Sequence, residues 1–329
     1  MAEPLPRLHG IDALRGIAAL CVVGLHAHGV FGGYPNWFAK GYLGVDFFLM
    51  LSGFMMARVN EPRLAAGLRP LMLMRARYRR MWGTVALGSL IGIPFFWVRS
   101  SGLGEFLPIA IANLLLIPWP FLRVVFVLNI PGWTIFYELV ANFTHSFVLR
   151  HLGTRGLAIL VVMLLGTVVL VAQRFGSLDV GARPENFFAG LPRIMLAYCI
   201  GIALSRRFVL PPRMALPAWI ALPAMPLAIL GGWAIDWMHW SFDLAFVLLL
   251  CPAMILGMMQ VRRESWLGWF SGAISFPLFA VHLPILEASR ELGLSVLAAV
   301  PIALAAAIII LWWTNRPRRI KQAKETRGV

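Results

Sequence analysis

Residues 10–31, GIDALRGIAALCVVGLHAHGVF, form an apolar run of membrane-spanning length that carries an arginine and a histidine inside it. About 20 apolar residues cross a bilayer as a helix. Arg15 and His26 are eleven residues apart. On an α-helix that is three turns plus roughly 20°, so both side chains share one face, about 16 Å apart along the axis. Ionisable groups at such depth are costly and face a bundle interior or a cavity. The plain alternative is a snorkelling arginine with a packing histidine, and the rest of the chain weighs against it.

The chain has 329 residues, 60% of them hydrophobic and 13% charged, with a mean hydropathy of +0.79. Soluble domains carry about 25% charge, so the composition implies an all-α polytopic membrane protein. The net charge of +15 does not point to nucleic acid. The arginines lie between apolar runs, as positive cytoplasmic loops do, and form no aromatic-interleaved patch. Cys21, Cys199 and Cys251 all fall inside apolar runs and read as packing residues. No cleavable signal pattern is evident, so the first run is expected to be a retained helix.

Ten spans are expected, near 10–31, 42–58, 82–98, 133–150, 156–172, 187–204, 215–233, 241–259, 268–287 and 294–314. The run 106–118 is short, contains Pro108 and ends at Pro118-Trp119-Pro120; runs of that length are more often buried or interfacial. Charge settles its treatment. With a cytoplasmic N-terminus and 106–118 not spanning, most of the 29 Lys and Arg residues fall in cytoplasmic segments. Only Lys40, Arg99, Arg123, Arg174, Arg183 and Arg290 lie outside, with Arg15 and Arg193 within spans. Positive-inside bias therefore predicts about ten helices around a polar cavity, with both termini cytoplasmic. Residues 1–314 are read as one transmembrane domain and 315–329 as a basic cytoplasmic tail. No internal repeat or soluble domain stands out.

Depth then sorts the ionisable residues. His26, Asp46, Glu138, Arg193 and His282 each fall four to six residues inside the outer end of a span, so one polar layer is expected. Arg15 and the cluster Arg75, Arg77, Arg79, Arg80 fall on the cytoplasmic side. That cluster suits topology and anionic lipid headgroups, or a phosphate-binding mouth, because guanidinium groups offer forked donors. A neutral histidine in an apolar cavity can take a proton from an alcohol. Asp46 or Glu138 is expected to orient it. The combination fits acyl transfer from a nucleotide thioester to a hydroxyl, and proton-coupled transport uses the same residue types. Ser52, in Leu51-Ser52-Gly53-Phe54, reads as a close-packing contact, with no G-x-S-x-G elbow around it. No histidine makes a metal-ligand spacing, and no metal is expected.

Six blocks in order resemble those of membrane acyltransferase family 3, polytopic O-acyltransferases that modify bacterial envelope carbohydrates. LHGIDALRGIAALCVVGLHAH is similar to the family's arginine–ten residues–histidine motif and places Arg15 and His26 on it. GYLGVDFFLMLSGFM (41–55) brings in Asp46, Ser52 and Gly53. RARYRRMW (75–82) resembles the basic loop before the third helix, with Gly83 where a proline is usual. WTIFYEL (133–139) supplies Trp133 and Glu138, and LPRIMLAYCIGI (191–202) supplies Arg193, with Tyr198 in place of a phenylalanine. ISFPLFAVHLPIL (274–286) supplies Ser275, His282 and Pro284, with Phe279 in place of a tyrosine.

The resemblance covers about residues 8–312. It implies cytoplasmic acyl-CoA, usually acetyl-CoA, as donor, a carbohydrate or lipid-linked glycan hydroxyl as acceptor, and no permanently bound cofactor. It further implies a multi-pass inner-membrane protein, possible glycan-assembly partners, and a requirement for Arg15 and His26. In the mechanism it suggests, Arg75, Arg77, Arg80 and Arg15 receive the donor's phosphates. His26 acts as general base or acyl carrier beside Asp46 or Glu138, and Arg193, His282 and Trp133 serve the acceptor or the oxyanion. A transporter of an acyl group or small solute, and an inactive scaffold for a glycan-assembly partner, are the other readings.

Overall fold

A computed structural model describes residues 8–327 apart from Met238 and Arg262, with side chains described as far as Thr314. Among the described residues every regular element is helical. Eight helices are long and apolar enough to cross a membrane. They are α1 (His9–Phe31), α2 (Leu43–Ala65), α3 (Pro70–Arg99), α6 (Thr154–Phe175), α7 (Pro184–Arg207), α10 (Trp240–Met258), α11 (Trp266–Glu291) and the part of α12 from Val296 to Thr314. The shorter elements are α4 (Leu103–Leu114), α5 (Gly132–Phe147), α8 (Ala218–Ala221) and α9 (Ala224–Ala234). The expected span at 215–233 is thus a broken helix, interrupted at Leu222-Pro223. The basic tail continues α12 as helix to Arg327.

Two helices widen into π turns, Met56–Asn60 in α2 and Phe246–Leu250 in α10. Each lies just ahead of a proline, Pro62 and Pro252. Proline has no N–H to give the carbonyl four residues back. That carbonyl belongs to Arg58 in one case and Leu248 in the other, the middle of each π turn. In α11, Pro284 likewise frees the carbonyl of Ala280. Asn129 Nδ2 donates to it at 2.8 Å. Gly88 of α3 lies against that same carbonyl and against Asn129 Nδ2, where a Cβ would collide.

Contacts fix the helix directions. Gly41 lies against Cys21 and Gly44 against Ala18, so α1 and α2 are antiparallel. Gly16 lies against Ser271 and His26 against His282, so α1 and α11 are parallel. Gly88 meets Ala280 and Arg99 meets Glu291, so α3 runs with α11. Ser52 meets Glu138 and Glu61 meets His145, so α5 runs with α2. Asp46 meets Arg193 and Gly53 meets Tyr198, so α7 does too. These close glycine contacts let helix backbones approach, as small residues do in membranes.

Helix α4 runs back along α3 until Trp82 Nε1 donates to the Leu114 carbonyl at 2.7 Å. The chain then turns and returns, so that Leu128 lies against Gly92 and Asn129 donates to the carbonyl of Val85. Asn113 ties this return together, accepting from Leu128 N and donating to the Val125 carbonyl. Irregular backbone at membrane depth is tolerated only where protein satisfies it, and the two Asn113 bonds are of that kind. Helix α4 therefore does not reverse the alternation of directions, in keeping with the charge argument that left 106–118 non-spanning.

Candidate functional site

The face of α1 bearing Arg15 and His26 is flanked on both sides by packing faces. Asp12 and Gly16 lie against α11. Ala18, Cys21 and Val22 lie against α2. At 100° per residue, Arg15 and His26 point between these two faces. They look into the interior of a ring made by α1, α2, α5, α3 and α11, each packed on the next. Ser52 and Phe48 share one face of α2, four residues apart. Ser52 meets Glu138 of α5 and Arg77 of α3; Phe48 meets Phe279 of α11.

At one end of this interior the two histidines are joined, His26 Nδ1 to His282 Nε2 at 2.8 Å. His282 is fully buried. Its Nδ1 lies 3.1 Å from the Leu278 carbonyl and 2.9 Å from the Phe279 carbonyl, both acceptors. Nδ1 must therefore carry the proton, leaving Nε2 of the neutral ring as an acceptor. His26 then donates from Nδ1, and its own lone pair is on Nε2. No described hydrogen bond engages that atom. One ring thus sets the tautomer of the other, the service a carboxylate gives elsewhere.

This corrects the expected arrangement. Asp46 does not orient His26; it is 0% exposed and held by Arg193, which is 1% exposed. Arg193 donates from Nε and Nη2 to the Asp46 carboxylate at 3.0 and 2.7 Å, and also to the carbonyls of Val180 and Tyr42. Its guanidinium lies over the rings of Tyr42 and Trp133. With these donors so engaged, Arg193 is a clamp between α2, α7 and the loop before α7. Trp133 is 7% exposed and packs on Gly181. The pair is continued by Lys40 and Tyr42, both bonded to Asp243 at 2.7 Å.

Glu138 also leaves the expected layer. Ser52 Oγ donates to Glu138 Oε1 at 2.7 Å, and Arg77 Nη2 lies 3.6 Å from the same oxygen. Ser52 is eight residues, about 12 Å, past Gly44 in one direction, and His26 is about 12 Å past Ala18 in the other. The serine cluster and the histidine pair are thus about 24 Å apart along the bundle. Arg77 is turned inward, with its other amine against Met56 Sδ at 3.0 Å, and its Nε is buried with no partner among the described residues. Arg75 and Arg80 are exposed. All three belong to α3 itself, which starts at Pro70, so the expected basic loop is a helical turn. Arg15 is 34% exposed and lies 3.5 Å from Asp12.

A second, partly buried network went unread in the sequence. Glu61 accepts from Arg206 Nη2 at 2.6 Å and from His145 Nε2 at 2.9 Å. The Tyr198 hydroxyl joins His145 and Asn142. Among the described residues no group of three or more His, Cys, Asp and Glu could hold a metal ion.

Residues 8–316 match the acyltransferase 3 family, described as an acyltransferase domain. A curated relative, "Protein 2 in picA locus" of Rhizobium radiobacter, is 32% identical over 162 residues, covering 44% of this chain and 83% of that protein. No solved structure matches. With a family match over nearly the whole chain and a polytopic helical fold around paired interior histidines, the chain belongs to the acyltransferase 3 family and is a membrane acyltransferase.

Proposed function

We propose that the protein moves an acyl group, acetyl in the simplest case, from cytoplasmic acyl-CoA to a hydroxyl of a cell-envelope carbohydrate. The observation that carries this reading is the His26 ring, held through Nδ1 by His282, with an Nε2 that no described hydrogen bond engages, on the same face of α1 as Arg15. The exposed Arg75 and Arg80, with Arg15 at the inner mouth, receive the donor's phosphates. Arg77 keeps Ser52 and Glu138 in place beside that mouth. The thioester arm extends along the interior towards the histidines.

In the reaction, Nε2 of His26 takes the proton of the acceptor hydroxyl. The oxygen attacks the thioester carbonyl, the C–S bond breaks, and the thiolate leaves with the proton from the imidazolium. Should Nε2 attack the carbonyl itself, the C–S bond breaks, CoA leaves as thiolate and an acyl-imidazole forms; the acceptor oxygen then takes the acyl group, the N–C bond breaks, and the hydroxyl proton passes to the thiolate. The chain crosses the membrane ten times, α5 and the α8–α9 pair included, with both termini cytoplasmic and residence in the bacterial inner membrane.

Sealed vesicles of both orientations test this. Labelled acetyl-CoA is expected to acetylate an envelope-glycan extract only when it is added to the face bearing Arg75 and Arg80. Equal transfer from either face would refute the sided mechanism.

A further inference from the structure

Between the two polar regions of the ring interior stand two phenylalanines. Phe48 of α2 and Phe279 of α11 have ring centroids 5.8 Å apart at an interplanar angle of 62°. Phe48 lies one turn from Ser52, on the same face of α2, towards the histidine end. Phe279 lies one turn before His282, with their ring centroids 5.9 Å apart. The aromatic contact therefore bridges the interior from α2 to α11, above the Ser52–Arg77–Glu138 cluster and below the His26–His282 pair. Phe279 is 6% exposed, whereas Phe48 is only partly buried. Phe48 is the ring with room to turn. Interior side chains are close-packed and move between discrete rotamers, so the contact is either closed or opened by a ring flip.

We propose that Phe48 and Phe279 form an aromatic constriction that the leading acyl end of the donor must part to reach His26, and that this constriction selects narrow, unbranched acyl groups. The proposal rests on the donor reading above. A short acyl group and its narrow thioester arm pass by a flip of Phe48. A branched acyl group, wider than the arm that follows it, has to hold both rings apart. Closed, the contact is an apolar neck that excludes water from the histidines, as hydrophobic constrictions do in channels.

The test uses the full chain in nanodiscs and sealed vesicles. Phe48→Ala is expected to raise the isobutyryl-CoA to acetyl-CoA ratio of kcat/KM at least tenfold, with Phe48→Leu as the milder variant should alanine destabilise the fold. A ratio within twofold of wild type in both variants would overturn the selection.

Access is read independently of turnover. A His26→Cys chain is exposed, from the Arg15 face, to a membrane-impermeant methanethiosulfonate reagent. The three native cysteines are buried and give little background. Modification is expected to be slow with Phe48 present and at least tenfold faster once Phe48→Ala is added. Equally fast modification with Phe48 intact would show that no neck stands there. If the neck is found but wild type releases no CoA from any acyl-CoA, the donor reading fails and the constriction stands.

Discussion

At the scale of single residues, the account turns on which group holds His26. Removing the ring that fixes its tautomer should slow chemistry and leave donor binding alone. His282→Phe is expected to lower kcat by about 10²–10⁴, the range for a positioned acid–base group, with the KM for acyl-CoA within twofold of wild type. A rise in KM at unchanged kcat would place His282 in binding. Asp46 and Arg193 should behave differently. Breaking a buried ion pair costs about 3–5 kcal/mol, so Asp46→Asn is expected to lower the thermal midpoint sharply. The double variant Asp46→Leu/Arg193→Met should recover much of the loss.

Sequence spacing put Arg15 and His26 on one face of α1 and His282 at the depth of His26, but could not say which side of a helix met which. Asp46 lies about 200° around α2 from Phe48, so it faces α7 and not the ring interior. Glu138 failed for another reason. Its helix begins deep in the bundle, after the re-entrant return that ends at Asn129. Five residues into α5 is therefore far from the outer surface, where five residues into an ordinary span would be near it.

Among the elements, prolines and glycines decide local geometry, and only part of that can be read in advance. The apolar runs showed where helices lie. Nothing in them marked the π turns before Pro62 and Pro252, because the freed carbonyl's fate depends on neighbours. The Ala280 carbonyl is the clearest case, since its partner Asn129 comes from 151 residues away. Asn129→Ala leaves that carbonyl buried without a donor, at about 1–3 kcal/mol. Adding Pro284→Ala restores a backbone N–H four residues on. The double variant is thus expected to unfold at a higher temperature than Asn129→Ala alone. Additive losses would mean that Asn129 matters for some other contact. Gly201 has Met50 and Phe54 backbone atoms where a Cβ would go, so Gly201→Val is expected to separate α2 from α7 and reduce folded yield.

For the whole molecule, the charge pattern foresaw an alternation that the helix directions follow. Helices α1, α3 and α11 point one way, and α2, α5 and α7 the other. This places the α2–α3 loop and the α6–α7 loop on opposite faces. An impermeant maleimide applied to the outer face of cells should label Glu185→Cys and spare Ala66→Cys; labelling of both, or of neither, would mean that α5 does not cross. The same alternation puts Arg15 at one end of the ring interior, level with the exposed Arg75 and Arg80 of α3, and the histidine pair towards the other. A long donor held by its phosphates at the first end can present its thioester at the second, provided His26 is where transfer occurs.

The most direct test is CoA release by purified wild type and His26→Ala in nanodiscs, supplied with acetyl-CoA and an envelope-glycan extract. The account predicts acceptor-dependent release by wild type and its loss in the variant, with both proteins equally folded. Release that survives His26→Ala would leave the protein an acyltransferase and remove the histidine pair from the centre of its chemistry.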